Sequence, residues 1–281
     1  MTASLAVVSL HLMKLVVLGS GTSVPHPQRA AAGFWLETET GSLLLDCGAD
    51  TAHRMAAENL DWPNLDAIWI SHLHLDHCGG LAPFLFGTKH APLTQTRRKP
   101  LTILGCQGIS KLLRAIDDAN DYDLCDQPFP VELREISTDN SPEADFEILP
   151  DLRARSFSTR HTNESLAIRL TDRAGASVVY SSDTAYDESL AAFARGVDLL
   201  ILECSFWRNK PTAKHLELAE AMRLAPLAEP RKVILTHLYP EWDAIDLESK
   251  AKELWPGETI AAYDGLRLEI QNRTWVQKRE R

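Results

Sequence analysis

Apolar positions along the chain fall into short runs bounded by turn residues. Nine of these runs predict strands: Leu15–Leu18, Phe34–Glu37, Ser42–Leu45, Ala67–Ser71, Leu101–Leu104, Ser165–Leu170, Ser177–Ser181, Leu199–Leu202 and Val233–Thr236. Between some of them the apolar spacing changes to three and four, which predicts helices over Thr51–Asn59, Gly108–Asn120, Tyr186–Ala194 and, most clearly, Lys214–Ala225. Loops are expected over Ala91–Pro100 and Thr138–Pro150. No repeat or heptad interrupts this layout, which reads as α/β with two sheets.

With 44% hydrophobic and 24% charged residues over 281 positions, the chain has enough apolar side chain for a sizeable core and no signature of disorder. The five cysteines, Cys47, Cys78, Cys106, Cys125 and Cys204, are odd in number and lack CxxC spacing. That argues against a disulfide framework and for a reducing, cytoplasmic setting. No run reaches transmembrane length, and the first residues carry neither a basic n-region nor a small-residue cleavage site. Met13-Lys14 stand directly before the first strand, so residues 1–12 read as an N-terminal extension and 13–281 as a single catalytic domain. The net charge of −10 disfavours extensive nucleic-acid binding. Divalent ions at one site would raise the potential there, so a small anionic substrate remains compatible.

The densest chemistry lies in His72-Leu73-His74-Leu75-Asp76-His77, directly after the run Ala67–Ser71. Imidazole and carboxylate suit zinc and neighbouring divalent ions, and four donors in one turn exceed what a single tetrahedral ion with an open position takes from one segment. Two divalent metal ions are therefore expected, zinc first, with manganese or iron as alternatives. His72, Asp183 and His237 each follow a predicted strand end, where an α/β fold gathers distant side chains. Singly these signals are weak. His161 is as readily an ordinary polar histidine, Asp183 a cap for the helix from Tyr186, and His237 a hydrogen-bonded surface histidine. Arg97, Arg98 and Lys99 form a basic run that reads as a solvated loop tip. Gly19-Ser20-Gly21 evokes a dinucleotide loop, but Val24 occupies the third glycine position.

Taken in order, these segments resemble the metallo-β-lactamase superfamily, and within it the ribonuclease Z-like branch of phosphodiesterases. The resemblance runs from Leu18-Gly19-Ser20-Gly21-Thr22-Ser23 through Leu44-Leu45-Asp46-Cys47-Gly48 and the 72–77 cluster. It continues through His161, Ser182-Asp183-Thr184, Glu203, His215, Thr236-His237 and Asp264-Gly265. It implies a four-layer αββα sandwich with two mixed β-sheets. It also implies one ion held by His72, His74 and His161, another by Asp76, His77 and His237, and Asp183 bridging them. The nucleophile is then a hydroxide shared by the metals. The resemblance further gives Asp76, His215 and Glu203 as the catalytic set, with His215 as general acid held by Glu203, and Asp46 as a carboxylate behind the ligands.

Two features depart from that family. Its transfer-RNA-maturing members usually carry a long basic arm between the positions of His161 and Asp183. Here residues 162–182 read as two strands and a turn at Asp172–Gly175, leaving no room for it. The family also usually has histidine before the Glu203 position, where this chain has Leu202. The expected substrate is therefore a small phosphodiester or an RNA-derived species, with homodimerisation left open. A lactonase or thioesterase could use the same two metals, although the Glu203 and His215 pair argues against it. A di-iron redox protein and a non-catalytic metal-binding homologue are further alternatives.

Overall fold

The computed structural model describes residues 12–138 and 145–272, so the expected extension lies, apart from Leu12, outside the described residues. The first sheet begins with β1 (Met13–Gly19), β2 (Gly33–Glu37), β3 (Ser42–Leu45), β4 (Ala67–Ile70), β5 (Leu101–Cys106) and β6 (Val131–Ile136). The second holds β7 (Phe146–Leu149), β8 (Leu152–Ser158), β9 (Leu166–Asp172), β10 (Ser177–Tyr180), β11 (Leu199–Glu203), β12 (Lys232–Thr236) and β13 (Glu258–Ala261). The last strand, β14 (Arg267–Ile270), returns to the first sheet beside β1. Each sheet is mixed. Pairing is antiparallel from β14 through β3 and parallel from β3 to β6; in the second sheet it is antiparallel from β7 to β10 and parallel from β10 to β13.

Three apolar clusters account for four layers. One joins inward side chains of both sheets, among them Leu15, Phe34, Trp69, Ile168, Tyr180 and Ile201. A second packs the outer face of the first sheet against α1 (Thr51–Ala57), α2 (Leu75–Cys78), α3 (Leu81–His90) and α4 (Ile109–Asn120). A third packs the other outer face against α5 (Glu188–Phe193), α6 (Leu218–Ala228) and α7 (Leu247–Leu254). Strands such as β3, β4 and β11 are buried along their whole length, as continuous apolar runs require when both faces are covered. This is the αββα sandwich. No helix of the described residues is long and apolar enough to cross a membrane.

Four expectations need correction. The segment expected as a loop over Thr138–Pro150 contains β7, an edge strand whose buried Phe146 stacks on Trp69. The clearest predicted helix starts at Leu218 rather than Lys214, because Glu217 and Glu220 form a capping box there. Helix α3 was missed, and so was α7, which Asp246 caps by accepting from Ser249 N. Arg97 is not a solvated tip. It is buried, donates to the carbonyls of Pro63, Leu65, Lys99 and Pro100, and lies 4.4 Å over the Phe129 ring.

The C-terminal ends of the parallel strands converge on one rim of the sandwich, and the backbone turns sharply there. Asp46 after β3, Ser182 after β10 and His237 after β12 adopt left-handed φ of 57°, 54° and 59°. Such geometry costs a non-glycine residue about 1–2 kcal/mol. The Gly19-Ser20-Gly21 loop abuts this rim for a steric reason. A Cβ at Gly19 would lie 1.8 Å from the Ala31 carbonyl oxygen, so the glycine permits close approach of two backbones. Asp264 then fixes the loop by accepting from Ser20 N, Ser20 Oγ and Ala30 N.

Candidate metal centre

His72 and His74 stand on the turn after β4 and Asp76 and His77 within α2, while Asp183 and His237 stand beyond β10 and β12 of the opposite sheet. His161 precedes β9 and comes from the same rim. The structure brings all seven together. His72, His74, His161 and Asp183 offer atoms within 4.8 Å of one another, and so do Asp76, His77 and His237. Asp183 lies between the sets: its Oδ2 is 3.7 Å from His72 Nε2 and 3.5 Å from His161 Nε2, while its Oδ1 is 3.3 Å from His77 Nε2 and 3.4 Å from His237 Nε2. Asp76 Oδ2 stands 3.3 Å from His237 Nε2. All are buried except His74, which is exposed at the mouth.

Four of the imidazoles have their outward nitrogen tied to the protein. His77 Nδ1 donates to Asp46 Oδ2 at 2.6 Å, and His161 Nδ1 to the Lys214 carbonyl at 3.0 Å. Ser71 Oγ donates to Asp46 and so accepts from His72 Nδ1 at 3.1 Å; Ser205 Oγ donates to Glu203 and so accepts from His237 Nδ1 at 2.9 Å. Each ring therefore carries its proton on Nδ1 and turns a bare Nε2 inward. His74 differs from these four, because its inward nitrogen is Nδ1, 3.0 Å from His161 Nε2.

This donor set fits divalent cations. Among the described residues, His72 Nε2, His77 Nε2 and Asp183 Oδ1 are buried without a hydrogen-bond partner. Each stranded buried polar atom costs about 1–3 kcal/mol, and cations seated in the two donor sets on either side of Asp183 would satisfy all three. The electrostatics agree. Burial, then His77, holds His72 well below the ordinary imidazole range, and burial likewise lowers His161, so both keep their lone pairs. Burial opposes ionisation of Asp183, but His237 and His77 outweigh it and hold the carboxyl well below the usual range. Burial also disfavours charge on His77, yet Asp183 and Asp46 on either side raise its pKa well above normal. A proton and a divalent cation are alternatives for that nitrogen.

Beside the cluster lies a second pair. His215 Nδ1 donates to Glu203 Oε1 at 3.1 Å and stands 3.9 Å from Asp183 Oδ2. Glu203 is almost fully buried and saturated: Oε1 also accepts from Thr184 N at 2.7 Å, and Oε2 from Ser205 Oγ at 2.7 Å and Leu216 N at 3.2 Å. Burial works against a charged His215, but the bond to Glu203 and its charge prevail and raise its pKa. His215 does not cap α6, which begins at Leu218, and Asp183 does not cap α5, whose cap is Asp187.

Asp46 was expected behind the ligands, and the structure puts it there, accepting from Ser71 N, Ser71 Oγ, His77 and Tyr180 OH. Sequence reasoning missed Tyr180, Ser71 and Ser205. Only their position one or two residues from a strand end beside a ligand could have flagged them. Of the histidines left unassigned, His26 bonds Asp243 at 2.8 Å. Leu202, where histidine was expected by resemblance, is a buried member of the outer apolar cluster.

A family model described as a beta-lactamase superfamily domain matches residues 42–238. The chain is 32% identical to the uncharacterized protein ML1173 of Mycobacterium leprae, over 92% of this chain and 89% of that one. It is 28% identical to the probable metallo-hydrolase YhfI of Bacillus subtilis, over 90% of this chain and 98% of that one. The crystal structure of YhfI superposes with a TM-score of 0.75, covering 92% of this chain and 99% of the other. Ribonuclease Z of Archaeoglobus fulgidus is 25% identical over 92% of this chain and 98% of its own length.

Proposed function

The chain belongs to the β-lactamase superfamily, in its ribonuclease Z-like branch, and on that premise we propose that it is a dinuclear metal-dependent phosphodiesterase. One ion would be held by His72, His74 and His161 and the other by Asp76, His77 and His237, with Asp183 between the two sets. The observation that carries this is the set of buried, unpartnered atoms, His72 Nε2 in one donor set, His77 Nε2 in the other and Asp183 Oδ1 between them. When bound, two divalent cations, zinc first and manganese or iron as alternatives, supply a nucleophile from water at neutral pH and neutralise phosphoryl oxygens.

The chain's own residues do the rest. Asp183 shares its two oxygens between the donor sets and fixes their spacing. Asp46 holds the His77 ring through Nδ1, so that its inward nitrogen keeps one direction. Asp76 serves the second set while burial keeps it out of water; His237 and His77 outweigh that burial and lower its pKa. His215 is close enough to Asp183 and His237 to serve as a ligand. Its Nδ1 is committed to Glu203, which favours a proton-donating role: Glu203 holds the ring charged and oriented, and Nε2 hands a proton to the departing alkoxide. A lactone or thioester substrate has less need of that pair. The substrate is a small phosphodiester or RNA-derived species, because residues 162–182 form β9, a turn and β10 and leave no arm for transfer RNA.

The test is metal analysis after zinc loading, followed by turnover of bis(p-nitrophenyl) phosphate, cyclic nucleotides, precursor transfer RNA and a lactone and thioester panel. Two equivalents of zinc and diester turnover are expected. Turnover of lactones or thioesters without diesters overturns the phosphodiesterase reading.

A further inference from the structure

An aromatic wall stands beside the proton-donating pair, and neither the donor sets nor the pair uses it. The Phe206 and Tyr239 rings stack with centroids 4.6 Å apart at 28°. Phe206 lies 6.3 Å from the His215 ring and Tyr239 6.2 Å from the His237 ring, while those two imidazoles stack on each other at 5.3 Å. The wall is fixed from behind: Phe206 N donates to the Leu216 carbonyl, Leu218 N to the Phe206 carbonyl, and Tyr239 N to the Ser205 carbonyl. Phe206 is buried, but Tyr239 is only half-buried and offers ring surface at the rim.

The loop that carries Phe206 differs in charge from the rest of the molecule. In a chain of net charge −10, residues 205–216 hold Arg208, Lys210 and Lys214 and no acidic residue. Lys210 is occupied, bonding Glu220 and the His215 carbonyl. Arg208, whose guanidinium lies 4.1 Å over the Trp207 ring, and Lys214 are exposed. Aromatic faces interleaved with free cations next to a phosphoryl-transfer site suit a ligand with a planar ring and negative charge.

We infer that Phe206 and Tyr239 are specificity determinants, forming the wall on which a planar ring of the substrate's departing group lies, with Arg208 and Lys214 meeting further negative charge on that ligand. The assignment of the wall to the departing side rests on the phosphodiesterase reading, because His215 delivers its proton there. Stacking is tolerant of ring identity, so purine and pyrimidine rings are accepted alike.

Calorimetric titration of the zinc-loaded protein with adenosine 5′-monophosphate, cytidine 5′-monophosphate and ribose 5-phosphate tests this without turnover. Both nucleotides are expected to bind about tenfold or more tighter than ribose 5-phosphate, in line with the contribution of one stacked base. Tyr239→Leu reduces that gap to less than about twofold, and Tyr239→Phe, which keeps the ring, preserves it. Zinc content is measured in every variant, and Phe206→Leu carries the test if Tyr239→Leu fails to load. Equal binding of the three ligands by the unmodified protein, or a gap that survives both leucine variants, overturns the inference. Ring discrimination without turnover of any diester would instead strike the reaction assigned above and leave the ring wall standing.

Discussion

Replacing Asp46 by asparagine tests how the donors are held. Asp46 is fully buried and accepts four hydrogen bonds, from Ser71 N at 2.7 Å, Ser71 Oγ at 2.8 Å, His77 Nδ1 at 2.6 Å and Tyr180 OH at 2.6 Å. Asparagine matches its size and tolerates the left-handed φ of 57°. It has one acceptor oxygen instead of two, and its NH2 group must face donors. With the carbonyl turned toward the Ser71 amide, Ser71 Oγ, His77 Nδ1 and Tyr180 OH, which all bond Oδ2, lose their acceptor. Three stranded donors at about 1–3 kcal/mol each, of which the two hydroxyls can turn to accept from the new NH2 group, give a loss of about 2–4 kcal/mol. In a chain of this size that lowers the melting temperature by on the order of 10 °C. Zinc affinity should fall about 10- to 100-fold, because the His77 ring loses its outer partner. Thermal unfolding and chelator competition measure the two effects. A melting temperature within about 2 °C of the parent together with unchanged zinc affinity would refute the reasoning.

His215→Ala should lower kcat about 10²- to 10⁴-fold with zinc stoichiometry intact, read by steady-state kinetics and elemental analysis; an unchanged kcat removes the proton-donating role. Because the folded pKa of His215 lies above its ordinary value, the stability it contributes is fully present below the unfolded imidazole pKa and is lost as pH rises through the folded one. The same window governs the acid, so kcat should fall as pH climbs through it, and Glu203→Gln should move that fall to lower pH in a pH–rate profile. Asp183→Ala should reduce bound zinc from two equivalents to one or none, whereas retention of both would end its bridging role. Arg97→Lys should cost about 2–3 kcal/mol in denaturant unfolding with activity intact, since an ammonium cannot replace a fork bonded to four carbonyls.

What the sequence disclosed followed from how local each signal was. Four donors within His72–His77 announce themselves without any fold, and the central strands read clearly because runs such as Leu199–Leu202 are apolar throughout. Strands at or next to the sheet edges were lost for the opposite reason. Val131–Ile136 and Glu258–Ala261 bury little, and Leu152–Ser158 interleaves arginine with apolar residues, so none of the three stands out from a loop. The supports of the site were equally hidden. Tyr180 reaches Asp46 across the space between the sheets, and the Lys214 carbonyl that orients His161 is a backbone atom of a segment read as helix. Arg97 misled because a basic triplet ordinarily faces water, and nothing in its neighbours announced four carbonyls converging on one guanidinium.

The donors around Asp183 come from opposite sides of the sandwich: the turn after β4 belongs to one sheet, and the ends of β10 and β12 to the other. Any cation seated there is thus also a rivet through the seam where the two sheets meet. Stripping it with a chelator should speed amide exchange along this seam first and leave the far side of the sandwich protected, so that loss of metal is felt as local parting rather than general unfolding.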